Sequence, residues 1–184
     1  MSRARDFAAD LLLAYDKRPT FVRTALEGRR DALSDSRDRG LLTELVYGPI
    51  RRRGTLDAVL SRFSRRPLLG LNGAVRTSLR LGLHQILFLD RVPAHAAVDH
   101  AVTWARAKGG PKRAGFVNGV LRSILRALDG QAAGPDQPRN DVPREDGSRL
   151  RFTRVVFADP DGRPARHLAE RWSAPEWLVA RWLD

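Results

Sequence analysis

The chain has 184 residues, of which 42% are apolar, and a net charge of +12. That length suits one domain of ordinary size with an appendage, and the apolar fraction is enough to close a hydrophobic core. The lack of cysteine excludes disulfides, thiolate metal ligands and a thiol nucleophile. No apolar run approaches the roughly 18 residues of a membrane helix, so we expect a cytoplasmic protein without a membrane partner.

The positive charge is concentrated in the first part of the chain. Residues 1–128 hold 24 Lys and Arg against 11 Asp and Glu, a net charge of +13, whereas residues 129–184 hold 9 against 10, a net charge of −1. A one-sided basic domain attracts polyanions, of which nucleic acid is the commonest. The alternative is that the charge only keeps the protein soluble. The preference for Arg over Lys is weak evidence, because a GC-rich genome also favours Arg.

The first two predicted helices follow apolar residues at helical spacing. The apolar residues between Ala4 and Tyr15 predict one helix. Ser2 can cap this helix by accepting a hydrogen bond from a free backbone N–H. A shorter helix is predicted to begin near Thr20, with Phe21 on its apolar side, and to stop at Gly28.

Five more helices are predicted up to residue 129, which gives an all-α fold of about seven helices. One opens at Ser34 or Ser36 and should kink or end near Tyr47, because Pro49 removes a helical hydrogen bond. Thr55 resembles a new N-cap. Residues 71–90 are apolar on most sides, so this helix should be the central one. The last two begin at Pro93 and near Pro111.

The rest of the chain changes character. Residues 130–148 are polar and rich in Pro and Gly, which predicts a flexible linker, and residues 150–158 predict one strand. A final helical stretch contains Trp172, Trp177 and Trp182. Alone these side chains would form an apolar patch that a soluble monomer tends to avoid. We therefore expect a partner or a further domain to cover them.

The sequence contains no complete nucleotide-binding, catalytic or metal-binding motif. The Gly109–Arg113 segment resembles a phosphate-binding loop only loosely, because Pro111 lacks a backbone N–H to donate to a phosphate and no Ser or Thr follows. The four histidines do not have the spacing of a zinc site. We expect no catalytic residue, no metal and no cofactor in this chain.

Arginine clusters are the clearer signal. Residues 51–80 hold eight Arg and one acid, Asp57. Neighbouring like charges repel unless an anion relieves them, and Arg forks onto phosphate. The alternative is a merely solvated face. We predict RNA contacts from this cluster and from a smaller N-terminal one: Arg3, Arg5, Arg51, Arg52, Arg53, Arg62, Arg65, Arg66, Arg76 and Arg80.

Several blocks of sequence occur in an order typical of a known family. They are Arg3–Ala8, Asp38-Arg39, the Glu-Leu-Val-Tyr-Gly-Pro-Ile-Arg of residues 44–51, the Leu-Arg-Leu-Gly-Leu-His-Gln-Ile-Leu-Phe-Leu of residues 79–89, Val92–Val98, Gly115–Arg122, and the Trp-Leu-Val-Ala-Arg-Trp of residues 177–182. Together they resemble the NusB-like N-terminal domain, and the segment following it, of the bacterial RsmB (Sun) ribosomal-RNA cytosine-C5 methyltransferases.

This resemblance implies a NusB-like helical bundle of two sub-bundles over residues 1–129, followed by the linker and, in residues 149–184, the start of the methyltransferase part. The catalytic cysteines and the S-adenosylmethionine pocket of the family would then lie beyond residue 184. The partners that it implies are RNA (small-subunit rRNA), a methyltransferase module and a ribosomal protein. The tryptophans would dock to that module.

Two main functions remain open at this stage. One is an RNA-binding accessory domain that docks rRNA for the methyltransferase module. The other is a NusB-type transcription antitermination factor, which binds RNA and a ribosomal protein and is not an enzyme. The Trp-rich tail separates these two, because an antitermination factor would end near Leu128. A third function is that of a stand-alone RNA chaperone or ribosome-assembly factor made by gene splitting.

Overall fold

The computed structural model describes residues 3–18 and 22–184. The cap predicted at Ser2 and the helix start predicted at Thr20 and Phe21 lie outside the described residues. Helices dominate this part of the chain, as predicted, and a small three-stranded sheet follows them.

The first sub-bundle consists of α1 (Arg3–Lys17), α2 (Val22–Asp31) and α3 (Ser36–Arg51). It encloses a core that includes Ala8, Leu42 and Leu45, and to which the buried Trp104 also contributes. The second sub-bundle consists of α4 (Arg53–Phe63), α5 (Gly73–Phe88), α6 (Ala94–Gly109) and α7 (Pro111–Ala127). The two predicted sub-bundles are thereby confirmed.

Helix α5 lies between the two cores, which explains why it is apolar on most sides. Leu81 faces the first core, whereas Leu79 and Leu83 belong to the second. Gly82 lies between them, where an added Cβ would come within 2.8 Å of the Leu121 side chain and 3.1 Å of the Ala101 methyl group. This glycine therefore allows α5 to pack closely on α6 and α7.

Three predicted helix boundaries are wrong. Helix α2 continues through Gly28 to Asp31. Helix α3 does not end near Tyr47 but continues to Arg51 with Pro49 buried inside it, so the missing N–H of the proline is tolerated two residues before the end of the helix. Thr55 lies within α4, whose N-cap is Arg52, and its polar atoms bond outside the helix.

Residues 128–152 form an antiparallel sheet. Its strands β1 (Leu128–Gln131), β2 (Asp141–Pro143) and β3 (Arg149–Phe152) are ordered β1-β3-β2. The linker predicted for residues 130–148 therefore contains strands, and the strand predicted for residues 150–158 ends at Phe152. Asp141 holds β2 to β3 and to the segment before β2. Its buried carboxylate accepts two hydrogen bonds of 2.7 Å from the Arg151 guanidinium and one of 2.9 Å from the Gln137 backbone N–H.

The chain then enters two short helices, α8 (Pro164–Trp172) and α9 (Glu176–Leu183), instead of one helical stretch. Ser173 separates them in the left-handed conformation, with a φ of 56°. Its hydroxyl oxygen lies 2.8 Å from the Thr55 backbone nitrogen and 2.9 Å from the Thr55 Oγ1. This contact ties the α8–α9 turn to the first turn of α4.

The sheet and the loop after it are part of the second core. Val142, Phe152, Val156 and Phe157 are buried in the same cluster as α4, α5, α6 and α7. Residues 129–157 therefore pack against the helical domain.

Across the described ranges 3–18 and 22–184, no helix is long and apolar enough to cross a membrane.

Candidate nucleic-acid interface

The three arginines between α3 and α4 have different surroundings. Arg51 is exposed and lies 3.5 Å from the Glu44 carboxylate. Arg52 is mostly covered: its guanidinium lies 4.0 Å from the centre of the Phe88 ring and 2.7 Å from Glu145. Arg53 is half-exposed and faces Asp16 at 3.4 Å. The structure therefore leaves Arg51 and Arg53 accessible to a polyanion and gives Arg52 a packing role.

Arg76 and Arg80 form a partly buried ion-pair cluster, which we call the Asp16 cluster, with Asp16, Asp57 and Arg53. Arg80 forks onto Asp57 with bonds of 2.7 and 2.8 Å and reaches Asp16 at 3.1 Å. Arg76 donates to the same Asp16 carboxylate at 2.9 Å. The side chains of Asp16, Arg76 and Arg80 are only 7, 15 and 8% exposed. The expectation that these arginines are unpaired and exposed is wrong, because two aspartates neutralise them inside the fold.

Opposite forces act on the Asp16 carboxyl. Burial disfavours its charged form, but hydrogen bonding to Arg76 and the positive charges of Arg80, Arg76 and Arg53 outweigh burial and hold the pKa of Asp16 below its ordinary value. Burial likewise disfavours the charged guanidinium of Arg80, yet the bond to Asp57 raises its pKa above its ordinary value. Both groups are charged in the folded chain, so the cluster is structural.

The N-terminal basic residues divide in the same way. Arg3 is exposed, and it and Arg29 lie on the Phe7 ring, with guanidinium carbons 5.5 and 4.9 Å from the ring centre. Arg5 is half-buried and donates a hydrogen bond of 2.9 Å to the buried side chain of Gln85. Arg3 is therefore the residue of the predicted pair that faces solvent.

Arg62 in the last turn of α4, and Arg65 and Arg66 just after this helix, are all exposed. Arg62 opens onto a cleft of about 440 Å³, the Arg62 cleft, which the appended segment completes. Its lining is Arg62, Arg139, Val155, Ala158, Asp159, Gly162, Arg163 and Arg166. Sequence reasoning missed the last three arginines of this lining because residues 129–184 are nearly neutral. The available signal was local: Arg163 and Arg166 stand three residues apart in the sequence, just after the Asp-Pro-Asp-Gly of residues 159–162.

Three tryptophans and a leucine are exposed on α8 and α9, and we call these four residues together the tryptophan face. Trp172, Trp177 and Trp182 are 60, 70 and 69% exposed, and Leu183 is 52% exposed. The fourth tryptophan, Trp104, is buried in the first core. The structure thus places the three predicted docking residues on the surface.

The buried histidines belong to packing. His84 is fully buried with its Nε2 atom 3.2 Å from the Glu44 carboxylate, and an added Cβ at Gly48 would lie 2.3 Å from its ring. Burial lowers the pKa of His84 below its ordinary value, although Glu44 acts in the opposite direction, so the neutral imidazole is favoured. Among residues 3–18 and 22–184, no group of three or more His, Cys, Asp or Glu side chains is arranged to hold a metal ion.

Comparisons with known proteins extend these observations. The family model described as "NusB family" matches residues 2–126. The probable ribosomal RNA small subunit methyltransferase B of Bacillus subtilis is 35% identical over 182 residues, which cover 98% of this chain and 34% of that protein. The corresponding protein of Synechocystis is 32% identical over 97% of this chain and 34% of its own length. The chain therefore spans about a third of the length of these curated relatives.

A solved structure shares the helical part of the fold. A chain in the crystal structure of antitermination factors NusB and NusE in complex with dsRNA superposes with a TM-score of 0.63 and 23% identity. The match covers 68% of this chain and 96% of that chain. At this identity the likeness shows the fold alone.

Proposed function

The chain belongs to the NusB family, and from this premise we propose that it is the RNA-binding part of an enzyme that methylates cytosine C5 in small-subunit rRNA. The observation that carries the proposal is the extent of the similarity. The likeness to ribosomal RNA small subunit methyltransferase B covers 98% of the chain, so it continues past residue 126 through the sheet, α8 and α9.

The proposed role is to dock rRNA through its phosphates. A net charge of +13 on residues 1–128 attracts a polyanion from solution, and the exposed arginines give it places to bind. After the ion pairs have been taken into account, the contacts that we propose are Arg3, Arg51, Arg53, Arg62, Arg65 and Arg66. Arg52, Arg76 and Arg80 are ion-paired within the fold, and we do not propose them as RNA contacts.

We place the methylation chemistry in the two thirds of the relatives that this chain does not match. Cytosine C5 methylation uses a thiolate that adds to the base, and the chain contains no cysteine. In residues 3–18 and 22–184, β3 leads into a loop and no strand leads through a glycine-rich turn into a helix. The methyl donor, S-adenosylmethionine, is therefore assigned to the remaining part of the enzyme.

The tryptophan face is the proposed contact with that catalytic part. It lies on α8 and α9, which fall in the segment shared with methyltransferase B and not in the segment matched by the NusB model. Burial of exposed aromatic surface gives about 25 cal/mol per Å², so three tryptophans supply a substantial docking energy.

The antitermination alternative is less well supported. The likeness to the NusB chain covers 68% of this chain, whereas the likeness to the methyltransferase covers 98%. A ribosomal protein partner, as the NusB–NusE pair suggests, remains a proposal for this chain.

Two measurements test the proposed function. The purified chain should bind a structured fragment of small-subunit rRNA, and the logarithm of the binding constant should fall linearly with the logarithm of salt concentration. Calorimetry with S-adenosylmethionine should show no binding, whereas adding a catalytic fragment of a relative should restore methylation of the RNA. Salt-independent binding, or methyl transfer by the chain alone, would refute the proposal.

A further inference from the structure

The Arg62 cleft joins two parts of the chain that the sequence treats separately. Arg62 comes from α4 in the basic domain, whereas Arg139, Arg163 and Arg166 come from the nearly neutral segment after residue 128. Four arginines line a space of about 440 Å³, and Asp159 is the one acid of that lining. The fold thus creates a concentration of positive charge that neither part has alone.

The backbone around the cleft is held firmly. The Arg139 carbonyl accepts hydrogen bonds of 2.9 and 3.1 Å from the backbone N–H groups of Val156 and Phe157. Glu170 uses one carboxylate oxygen to accept from Arg166 at 2.7 Å and the other to accept from the Ala158 backbone at 2.7 Å. The cleft is therefore in place before any ligand arrives.

Two of the four arginines are available for an external anion. Arg139 and Arg163 are exposed, and within the described part of the chain no carboxylate lies at ion-pair distance from either. Arg62 makes only a long contact of 3.4 Å to the Val156 carbonyl. Guanidinium groups without acidic partners repel one another, and they fork readily onto phosphate oxygens.

The lining favours a phosphate backbone over a free base or nucleotide. None of its eight residues is aromatic, so the cleft contains no aromatic ring on which a base would stack. Two further exposed arginines, Arg65 and Arg66, follow Arg62 in the chain by three and four residues, just after α4. These two arginines add positive charge in the chain segment that follows Arg62.

We propose that the Arg62 cleft binds backbone phosphates of structured RNA, and that residues 129–184 thereby form part of the RNA-binding surface. This inference rests on the proposed RNA-binding function and adds to it a site that the charge distribution along the sequence does not show.

The test compares two double variants with the same change in charge. R139E/R163E alters the cleft, and R30E/R91E alters two exposed arginines on elements that do not line it. Each protein is titrated with a duplex RNA at several salt concentrations. We expect R139E/R163E to bind roughly tenfold or more weakly than the unaltered chain and its salt slope to fall by about two, since each lost phosphate contact removes about one from the slope. R30E/R91E should lose less than about threefold.

Thermal unfolding of each variant shows that the comparison is between folded proteins, and R139Q/R163Q replaces the charge reversal if that variant unfolds. Inorganic phosphate, titrated into the same proteins and added as a competitor, distinguishes a small-anion site from an RNA site. Equal losses in both double variants, or phosphate binding in the cleft with unchanged RNA affinity in R139E/R163E, overturns the proposal while RNA binding by the chain stands. If the unaltered chain does not bind RNA, the proposed function fails first.

Discussion

Replacing Asp16 with alanine removes the carboxylate on which Arg76, Arg80 and Arg53 converge. Removing one partner of a buried ion pair leaves uncompensated charge and costs about 3–5 kcal/mol. Arg80 keeps its forked bond to Asp57, and Arg53 is 45% exposed and can turn to water, so we expect the lower end, about 3 kcal/mol. For a chain of this size that corresponds to a melting temperature lower by roughly 6–12 °C.

Helix α1, which contains Asp16, also offers a matched control. Asp10 pairs with Lys108 at 2.9 Å, but both side chains are about 40% exposed. Exposed ion pairs contribute about 0–1 kcal/mol, so Asp10→Ala should change the free energy of unfolding by less than about 1 kcal/mol. Both variants remove one carboxylate from α1, and burial is the main difference between them.

The pH dependence provides an independent check. The pKa of Asp16 is held below its ordinary value of 3.8, so its contribution is present above that value and is lost as pH falls through the lower pKa of the folded chain. Urea unfolding followed by circular dichroism at a series of pH values measures this. The difference between Asp16→Ala and the unaltered chain should shrink below about pH 4. If Asp16→Ala lies within about 0.5 kcal/mol of Asp10→Ala at pH 7, the structural role of the cluster is refuted.

Three further predictions follow from packing and burial. Gly82→Ala should lower the free energy of unfolding by about 1–3 kcal/mol, since its methyl group would overlap Leu121; an unchanged urea midpoint would contradict this packing. Trp177→Lys should change stability by less than about 0.5 kcal/mol, whereas Trp104→Ala should cost about 3–5 kcal/mol, and equal effects would contradict the assigned burial. Because burial lowers the pKa of His84, stability should fall as pH drops below the ordinary value of 6.5, and His84→Gln should make this fall less steep in the same urea assay.

The helices could be predicted from sequence because their apolar spacing is regular over ten or more residues. Their boundaries were harder to predict where one residue has two possible roles. Pro49 and Gly28 are local signals for the end of a helix. In the fold, Pro49 is buried within α3 and Gly28 lies within α2, so neither helix ends there. Thr55 has the chemistry of an N-cap, but Ser173, 118 residues further along, is its hydrogen-bond partner. Tertiary contacts of this kind leave no trace in local spacing.

The candidate interface could be predicted only as a composition of charges. Counting charges found the arginine-rich segment, but it could not tell that Arg80 is neutralised by Asp57 or that Arg76 is bonded to Asp16. Nor could it tell that Arg139 and Arg163 would stand beside Arg62. Which charges remain available depends on pairs of residues far apart in the chain, and these are known only from the fold.

The second core contains residues of α4–α7 together with Val142, Phe152, Val156 and Phe157, so the two cores can close at different times during synthesis. The first core is complete once Trp104 has been made, because no later residue contributes to its buried cluster within the described ranges. The second core also needs Phe152, Val156 and Phe157. We therefore expect the first sub-bundle to close while the ribosome is still translating, and the second to remain partly open until residues 129–157 have emerged. During that interval its apolar surface is exposed to chaperones and to other nascent chains.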